Sequence, residues 1–355
     1  MSDVAWISDP AGFEALAAEW DALAAAQDER SPFDLHCWHA AWWLAFGGSD
    51  ELAVCTLRID GDLAGVFPLR RSGRELLGLS NVHSPLYRPL ARDREAMAEL
   101  VAAALAAGGG LELASLPAGD ACVEQLEAGA RGNAKATSLE PAHTSPTVDT
   151  SGNFDEWRTV SKKRWGAPLE RFRRKMGRDH EAEFVIVEPP HDLDAELVDG
   201  FRVEASGWKG EQGTAITSKP ETETFYTEVA RAFERRGELR LSRIVLDGET
   251  AAFDLTLLHD GRLHLLKTGF DEKFRKLAPG LVMRLAIIER CFELGLASHE
   301  LLGDESEWKA KFQTGVRPYA TLRAYPRSPA GLARYAYRTR LRPRLRTIYR
   351  RLRRS

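Results

Sequence analysis

The sequence predicts an α/β protein of two modules in tandem, each a mixed central sheet flanked by helices. Three observations lead there: the length, an internal repeat, and one order of helices and strands recurring in both halves. At 355 residues the chain is two to three times the size of an ordinary domain. Its 44% hydrophobic content can build two buried cores, and 28% charged residues cover the surface.

The repeat appears when residues 38–67 (WHAAWWLAFGGSDELAVCTLRIDGDLAGVF) are laid on 225–254 (FYTEVARAFERRGELRLSRIVLDGETAAFD) without gaps. Ala45 meets Ala232, Phe46 meets Phe233, and Glu51-Leu52 meets Glu238-Leu239. Asp60-Gly61 then meets Asp247-Gly248, and Ala64 meets Ala251. Each copy reads as an aromatic-rich helix, an apolar strand, a turn and a second apolar strand. Asp-Gly is a hairpin signal because a type I′ turn needs positive φ at both central residues. Downstream, each copy has a helix followed by a short strand: 93–107 and LELASL in the first, 281–294 and HELLG in the second. Antiparallel hairpin followed by crossover helix and strand implies helices layered on a mixed sheet. Turn formers in PAHTSPTVDTSGN mark the join, so the expected domains are 1–150, 151–325 and an Arg-rich tail, 326–355. Segment 157–178, with nine Lys or Arg, reads as one amphipathic bridging helix whose charges are solvated, with a bound polyanion as the alternative.

Net charge is −3, but the average conceals a division. Residues 326–355 hold 11 Arg and no acid, leaving 38 basic against 52 acidic residues in 1–325, a balance of −14. An acidic body argues against nucleic acid as a partner, since phosphate binders spread cations over a working face. Cys37, Cys55, Cys122 and Cys291 are far apart, which disfavours a disulfide framework or a zinc cluster and fits a reducing cytoplasm. The start lacks the apolar core of a signal peptide. The longest uncharged apolar run, 100–111, is too short to span a bilayer. His36 and His39 flank Trp38 in an aromatic helix and match no catalytic or metal motif. The stripe Trp38, Trp42, Trp43, Phe46 reads as core.

Copy two contains a stretch without a good counterpart in copy one, LLKTGFDEKFRKLAPGLVMRLAIIERCFELG. An apolar strand ends near Lys267. A loop bearing Lys273, Arg275 and Lys276 follows, and Pro279-Gly280 opens a helix with Leu281, Leu285, Ile288 and Phe292 on one face. No acid stands in its first turn. Free backbone N–H groups and the helix dipole would face the loop, and Gly280 permits close approach. With the nearby cations this is a phosphate cradle; the alternative is an ordinary strand–loop–helix with solvated lysines.

These residues, followed by ELLGDESEWKAKF, resemble the acetyltransferase domain of the CelD/BcsL type, a branch of the GNAT (acyl-CoA N-acyltransferase) superfamily related to the FemABX peptidyl transferases. The resemblance rests on Phe270-Asp271, the basic run, Pro279-Gly280, Gly303-Asp304, and Trp308-Lys309 followed by Phe312. It covers roughly 30–325 and is strongest over 200–315. It implies tandem GNAT-like domains, acetyl-CoA or another acyl-CoA as co-substrate with no metal, and an amine acceptor, on a small molecule or sugar. It also implies that coenzyme A lies at the crossover-helix start, against Phe270, Lys273, Arg275, Lys276, Pro279, Gly280 and Leu281. Copy one has Tyr87-Arg88-Pro89-Leu90 there, so its nucleotide site is expected to be degenerate. Glu204, Trp208 and Lys209 lie where the family places acceptor contacts.

Acyl transfer to an amine needs a neutral nucleophile, a path for its proton, and donors polarising the thioester carbonyl. Asp304, after an apolar strand, is the candidate base or amine-orienting group, or else the N-cap of the helix that follows. Lys309 is the candidate for acceptor carboxylate or oxyanion, or else a solvated lysine. Asp254 and Lys267, charged residues within apolar strands, complete the substrate-binding candidates. The tail segment 332–354 mixes Arg with a helical face of Leu341, Leu345, Ile348 and Leu352. It suits an anionic membrane surface, which would set a cytoplasmic enzyme at the inner membrane face; nucleic acid is the rival partner, and a disordered solubilising tail is the other alternative.

Overall fold

The computed structural model describes residues 2–107, 109–134, 136–165, 168–206, 213–326 and 328–341. The chain divides into two compact units. One holds residues up to 43, 47–143 and the described residues from 318 onward; the other holds 44–46 and 144–317.

The first unit begins with β1 (Ser2–Ile7), α1 (Pro10–Ala15), α2 (Ala17–Ala25) and the aromatic helix α3 (His36–Phe46). Short β2 (Glu51–Leu52) leads into β3 (Val54–Ile59) and β4 (Asp62–Phe67), joined by Asp60 and Gly61 at φ 52° and 96°. That is the positive-φ pair the Asp-Gly signal requires. Next come β5 (Leu69–Ser72), β6 (Glu75–Gly78) and β7 (Leu90–Ala91). Pro68, without an N–H, separates β4 from β5. Helix α4 (Arg94–Ala107) crosses to β8 (Leu111–Pro117), which runs parallel to β6, and α5 (Ala121–Asn133) packs on α4. Strands β1, β3, β4 and β7 form one antiparallel sheet. The core joins α4 residues Met97, Leu100 and Val101 to strand residues such as Leu57, Phe67, Leu76 and Leu113.

Strand β9 (Ala136–Asp149) carries the chain into the second unit, followed by α6 (Phe154–Trp165) and α7 (Pro168–Asp179). The single bridging helix expected over 157–178 is thus two helices. Proline at 168 cannot donate the helical hydrogen bond and restricts the residue before it, so the first helix ends and a second starts there. Then come β10 (Ala182–Glu188), α8 (Leu193–Glu204), α9 (Pro220–Arg235), β11 (Leu239–Leu246), β12 (Glu249–His259) and β13 (Arg262–Phe270). Asp247-Gly248 (φ 53°, 80°) closes the first hairpin. A further Asp260-Gly261 pair (φ 47°, 68°), not used above, closes the second. A 3₁₀ segment, Glu272–Leu277, precedes α10 (Pro279–Glu293), which crosses to β14 (Ser298–Glu300). The unit's strands follow in the order β10-β11-β12-β13-β14, and β14 pairs with residues 147–149 of β9. All neighbours are antiparallel except β13 and β14. In both units, therefore, an Asp-Gly hairpin is followed by further strand (β5, β6 and β7 in the first, β13 in the second), a crossover helix and a strand parallel to an earlier one.

The chain closes with α11 (Glu307–Ala310), β15 (Gly315–Tyr325) and α12 (Pro329–Ala336). Residues 319–324 of β15 pair antiparallel with β8, so the segment from 318 belongs to the first unit instead of ending a domain at 325. The sequence-drawn border at 150 and the unit border at 143–144 bracket the end of one long strand, which turn composition does not reveal.

Candidate active site

Everything at the site belongs to the second unit. Asp271 ends β13 and its carboxylate accepts from the Lys273 amide (3.0 Å), starting the 3₁₀ turn. The turn ends on Ala278, held in the left-handed region (φ 50°, ψ 49°), and Pro279 is the first residue of α10. A left-handed alanine costs about 1 kcal/mol, so the chain is strained where it enters this helix. The start of α10 has no acid in its first turn and no side-chain cap. The expected row of free amides is shorter than the sequence suggested: the N–H groups of Leu281 and Val282 both donate to the Ala278 carbonyl (3.1 Å). Pro279 has no N–H, so the outward donor of the first turn is Gly280. A β-carbon on Gly280 would meet Phe270 at 3.5 Å, an ordinary contact, with space beyond.

The α4 start in the first unit is the reverse. There the Asp93 carboxylate accepts from the Ala96 amide (2.8 Å), and Glu95 adds a second acid. That amide bond, with help from Arg92, holds the Asp93 carboxyl below its usual range. Nearby Arg88 is buried, paired with Asp34 (2.7 Å) and Asp120. Carboxylates therefore occupy the place that α10 leaves open.

Strand β13 supplies the other wall. Its pairing with β14 stops at His264 opposite Glu300, yet it runs six residues further, to Phe270. Leu266 is an extra residue against β12, where Leu255 pairs with Lys267 and Thr256 with Leu265. Such a bulge bends its strand. Side chains alternate along this overhang. Phe270 faces α10, while Lys267 sits 4.6 Å over the Tyr226 ring of α9 and Gly269 abuts the backbone of Glu204 in α8. A β-carbon on Gly269 would lie 2.5 Å from the Glu204 Cα, so only glycine fits.

A cavity of about 370 Å³ wraps this overhang. Ala278, Pro279, Gly280 and Leu281 bring the start of α10 to the cavity, and Glu204 and Ser206 bring the end of α8; Thr268, Gly269, Phe270, Arg284, Trp308 and the ion pair Arg275–Glu272 (3.3 Å) complete the lining. The α10 start offers a backbone amide and the α8 end a carboxylate, Glu204, while the Arg275 charge is met by Glu272 and aromatic and aliphatic surface joins the two. Glu204 is 1% exposed and accepts from the Ile216 amide (2.9 Å).

Beneath the cavity lies a buried polar group. Arg284, 1% exposed, forms an ion pair with the fully buried Asp254 and donates to His299 Nε2 (2.7 Å), and its guanidinium lies 5.4 Å from the Trp308 ring. His299 Nδ1 in turn donates to the Leu263 carbonyl (3.0 Å). Burial, reinforced by the Arg284 charge, pushes His299 down to about 3, so its ring is neutral. Next along β14, burial works to raise Glu300. Hydrogen bonds from Arg317 (2.9 Å) and Ser298 (2.7 Å) outweigh it and hold the carboxyl below its usual range.

Of the residues singled out from sequence, Glu204, Phe270, Arg275, Pro279, Gly280 and Leu281 line the cavity. Asp254 lies under it through Arg284 instead of pairing with Lys267, which turns to Tyr226. Lys273 pairs with Glu249 away from the lining, and Lys276 is exposed. Lys309 donates to the Leu302 and Asp304 carbonyls, bracing the loop before Trp308. Asp304 is exposed outside the lining, and the N-cap of α11 is Ser306, so the capping alternative does not hold. Trp208 and Lys209 lie outside the described residues. Sequence reasoning passed over Arg284, Thr268, Ser206 and Glu272, and named Trp308 only within the family pattern. Arg284 carried a signal: three residues after Leu281 and four before Ile288, it is a charge on an apolar helical face.

Residues 163–310 match the family model of the acetyltransferase (GNAT) domain. No curated protein matches the chain. Among solved structures, the chain is similar to FemX (12% identity, 91% of this chain and 97% of that one, TM-score 0.56). It is similar also to L-PGS from Bacillus licheniformis (14%, 95% and 97%, 0.56). A conserved protein of unknown function from Bacteroides thetaiotaomicron gives 12%, 91% and 100%, with TM-score 0.56. The chain shares the fold of these proteins over nearly its whole length, and its second unit carries the match to the GNAT acetyltransferase domain.

Proposed function

We propose that the protein is an N-acyltransferase of the CelD/BcsL type, moving an acyl group, acetyl in the first instance, from acyl-CoA to an amine. The acceptor class is a sugar, a polyamine or an envelope precursor. One observation carries this reading: the start of α10 opens into a cavity with no carboxylate capping it, whereas the matching helix in the first unit is capped by Asp93. An unquenched helix start with an outward Gly280 amide and Arg275 suits the pyrophosphate of coenzyme A.

The donor then lies on the α10 face of β13, with its acyl end against Phe270, Leu281 and Trp308. The acceptor enters at the α8 end, where the Glu204 carboxylate attracts an ammonium group. For reaction the amine must lose a proton, and the Glu204 carboxylate receives it. The nitrogen lone pair attacks the thioester carbonyl, the carbon–sulfur bond breaks, and the thiolate leaves to be protonated as free coenzyme A. Arg284, fixed by Asp254 and His299, keeps the cavity floor rigid, so that little reorganisation is needed when charge develops. In this reading Lys309 and Asp304 act on the loop that carries Trp308.

The test is thermal unfolding with acetyl-CoA, longer acyl-CoA esters and coenzyme A. A ligand at 100 times its Kd adds about 2.7 kcal/mol of stability. No protection by any of them overturns the reading. The likeness to FemX supports a second one, transfer of an aminoacyl group from charged tRNA. Exposed Lys162, Lys163, Arg171, Arg174 and Lys175 on α6 and α7 give it a cationic surface. Salt-sensitive tRNA binding without protection by coenzyme A would select it.

A further inference from the structure

We propose that the first unit contains a separate site for a phosphate group, in a cavity of about 390 Å³ beside the start of α12. Its lining includes Arg71, Arg74 and Arg334, with Gly109, Ser328 and Gly331, and no carboxylate is among the lining residues. In a body whose overall balance is strongly acidic, three guanidiniums around one cavity need an account.

The structural explanation covers only part of them. Arg71 donates to the Ala107 carbonyl (3.1 Å) and Arg334 to the Gly109 carbonyl (3.1 Å), so two arginines satisfy acceptors where α4 ends. A carbonyl accepts a hydrogen bond but leaves the charge in place, and each guanidinium keeps further donors. The acids nearby are committed elsewhere. Arg338 binds Glu75 (2.6 Å) and Glu112 (2.9 Å), and Arg323 binds Glu112 (3.2 Å) and Glu140 (2.9 Å). Glu51, exposed and outside the lining, approaches Arg71 only to 4.0 Å. Arg74 is exposed and makes no ion pair among the described residues. The start of α12 is closed by the neutral Ser328 hydroxyl, which accepts from the Gly331 amide (3.0 Å), so no negative charge is supplied there either.

Three forked cations, whose one carboxylate partner among the described residues is Glu51 at 4.0 Å from Arg71, match the oxygens of a phosphate ester, which Arg binds through paired N–H donors. The group could come from an anionic lipid or from a soluble phosphate ester. Helix α12 is itself part of the Arg-rich tail, 326–355.

The experiment uses the full chain, with Arg74→Gln and Arg71→Gln/Arg74→Gln as variants. The Arg74 side chain has no hydrogen-bond or ion-pair partner among the described residues, so its variant should fold normally, checked by circular dichroism. Two probes are applied: thermal protection by glycerol 3-phosphate, and co-sedimentation with phosphatidylcholine vesicles with and without phosphatidylglycerol. The tail is present throughout, so its contribution cancels. Binding should weaken about tenfold per arginine removed, the worth of one charge-assisted hydrogen bond. Loss of phosphatidylglycerol-dependent sedimentation in the variants assigns a lipid headgroup. Loss of glycerol 3-phosphate protection with unchanged sedimentation assigns a soluble ester. Wild type and double variant behaving alike with both probes overturns the site. Protection by acyl-CoA, which concerns the second unit, is read separately.

Discussion

Replacing Ala278 with Asp separates stability from ligand binding, because the two should move in opposite directions. Ala278 occupies a left-handed conformation at the uncapped start of α10. Asp tolerates that conformation better than Ala, recovering part of about 1 kcal/mol. A carboxylate at a helix start adds about 0.3–1 kcal/mol through the dipole. The second unit should thus gain about 1 kcal/mol, or about 3 °C in Tm. A carboxylate about 5 Å from a phosphate repels it by about 3 kcal/mol per unit charge at an effective dielectric of 20. Solvent at the cavity mouth reduces this to about half, leaving a 10- to 30-fold loss of acetyl-CoA affinity. Ala278→Asn adopts the same backbone without the charge and should bind like wild type. Calorimetric titration with acetyl-CoA at low salt, beside thermal unfolding, makes the comparison. Equal affinity in the Asp and Asn variants would show that no anion sits at the start of α10, and the proposed donor site would fall with it.

Gly280→Trp should fill the cavity mouth and abolish acetyl-CoA protection with the unfolding midpoint unchanged within about 0.5 kcal/mol, since a β-carbon there makes only ordinary contact. A lowered midpoint together with intact protection would contradict this. Asp254→Leu or Arg284→Met alone should each cost about 3–5 kcal/mol by stranding a buried charge, while the double variant should recover much of that loss. Urea midpoints of the three proteins decide it, and a double variant as unstable as the sum of the singles would refute the pairing. Burial pushes His39, His264 and His299 down to about 3. Their folded pKa values lie below the unfolded 6.5, so between pH 3 and 6.5 the unfolded state binds more protons and stability falls as pH falls. At pH 5 each contributes a loss of about 2 kcal/mol relative to pH 7. Glu300, depressed by Arg317 and Ser298, adds a loss only below about pH 4.5. A midpoint unchanged from pH 7 to 5 would contradict the buried neutral histidines.

Features governed by neighbours in the chain were legible. Asp60-Gly61 and Asp247-Gly248 form the turns their chemistry requires, and the crossover helices and the strands after them lie where periodicity puts them. The open start of α10 was equally readable, because an N-cap is absent or present within four residues. The apolar face was only partly so. Leu285 and Ile288 are buried, but Leu281 and Phe292 are partly exposed, and Val282, Met283, Ile287 and Cys291 are deeper than either. A helix covered on more than one side has no single stripe to read.

What the sequence by itself determined is the duplicated order of elements, the hairpin turns and the unquenched helix start, each set by backbone rules acting over a few residues. Tertiary structure alone decided which charges meet. Asp254 and Arg284 stand 30 positions apart, and Asp254 could as well have paired with Lys267 on spacing alone. It also decided which loop cations reach the cavity: Arg275 does, while Lys273 turns to Glu249. A long side chain on an exposed turn can swing toward several partners, and only the packing of α8, α10 and the overhang of β13 chooses among them.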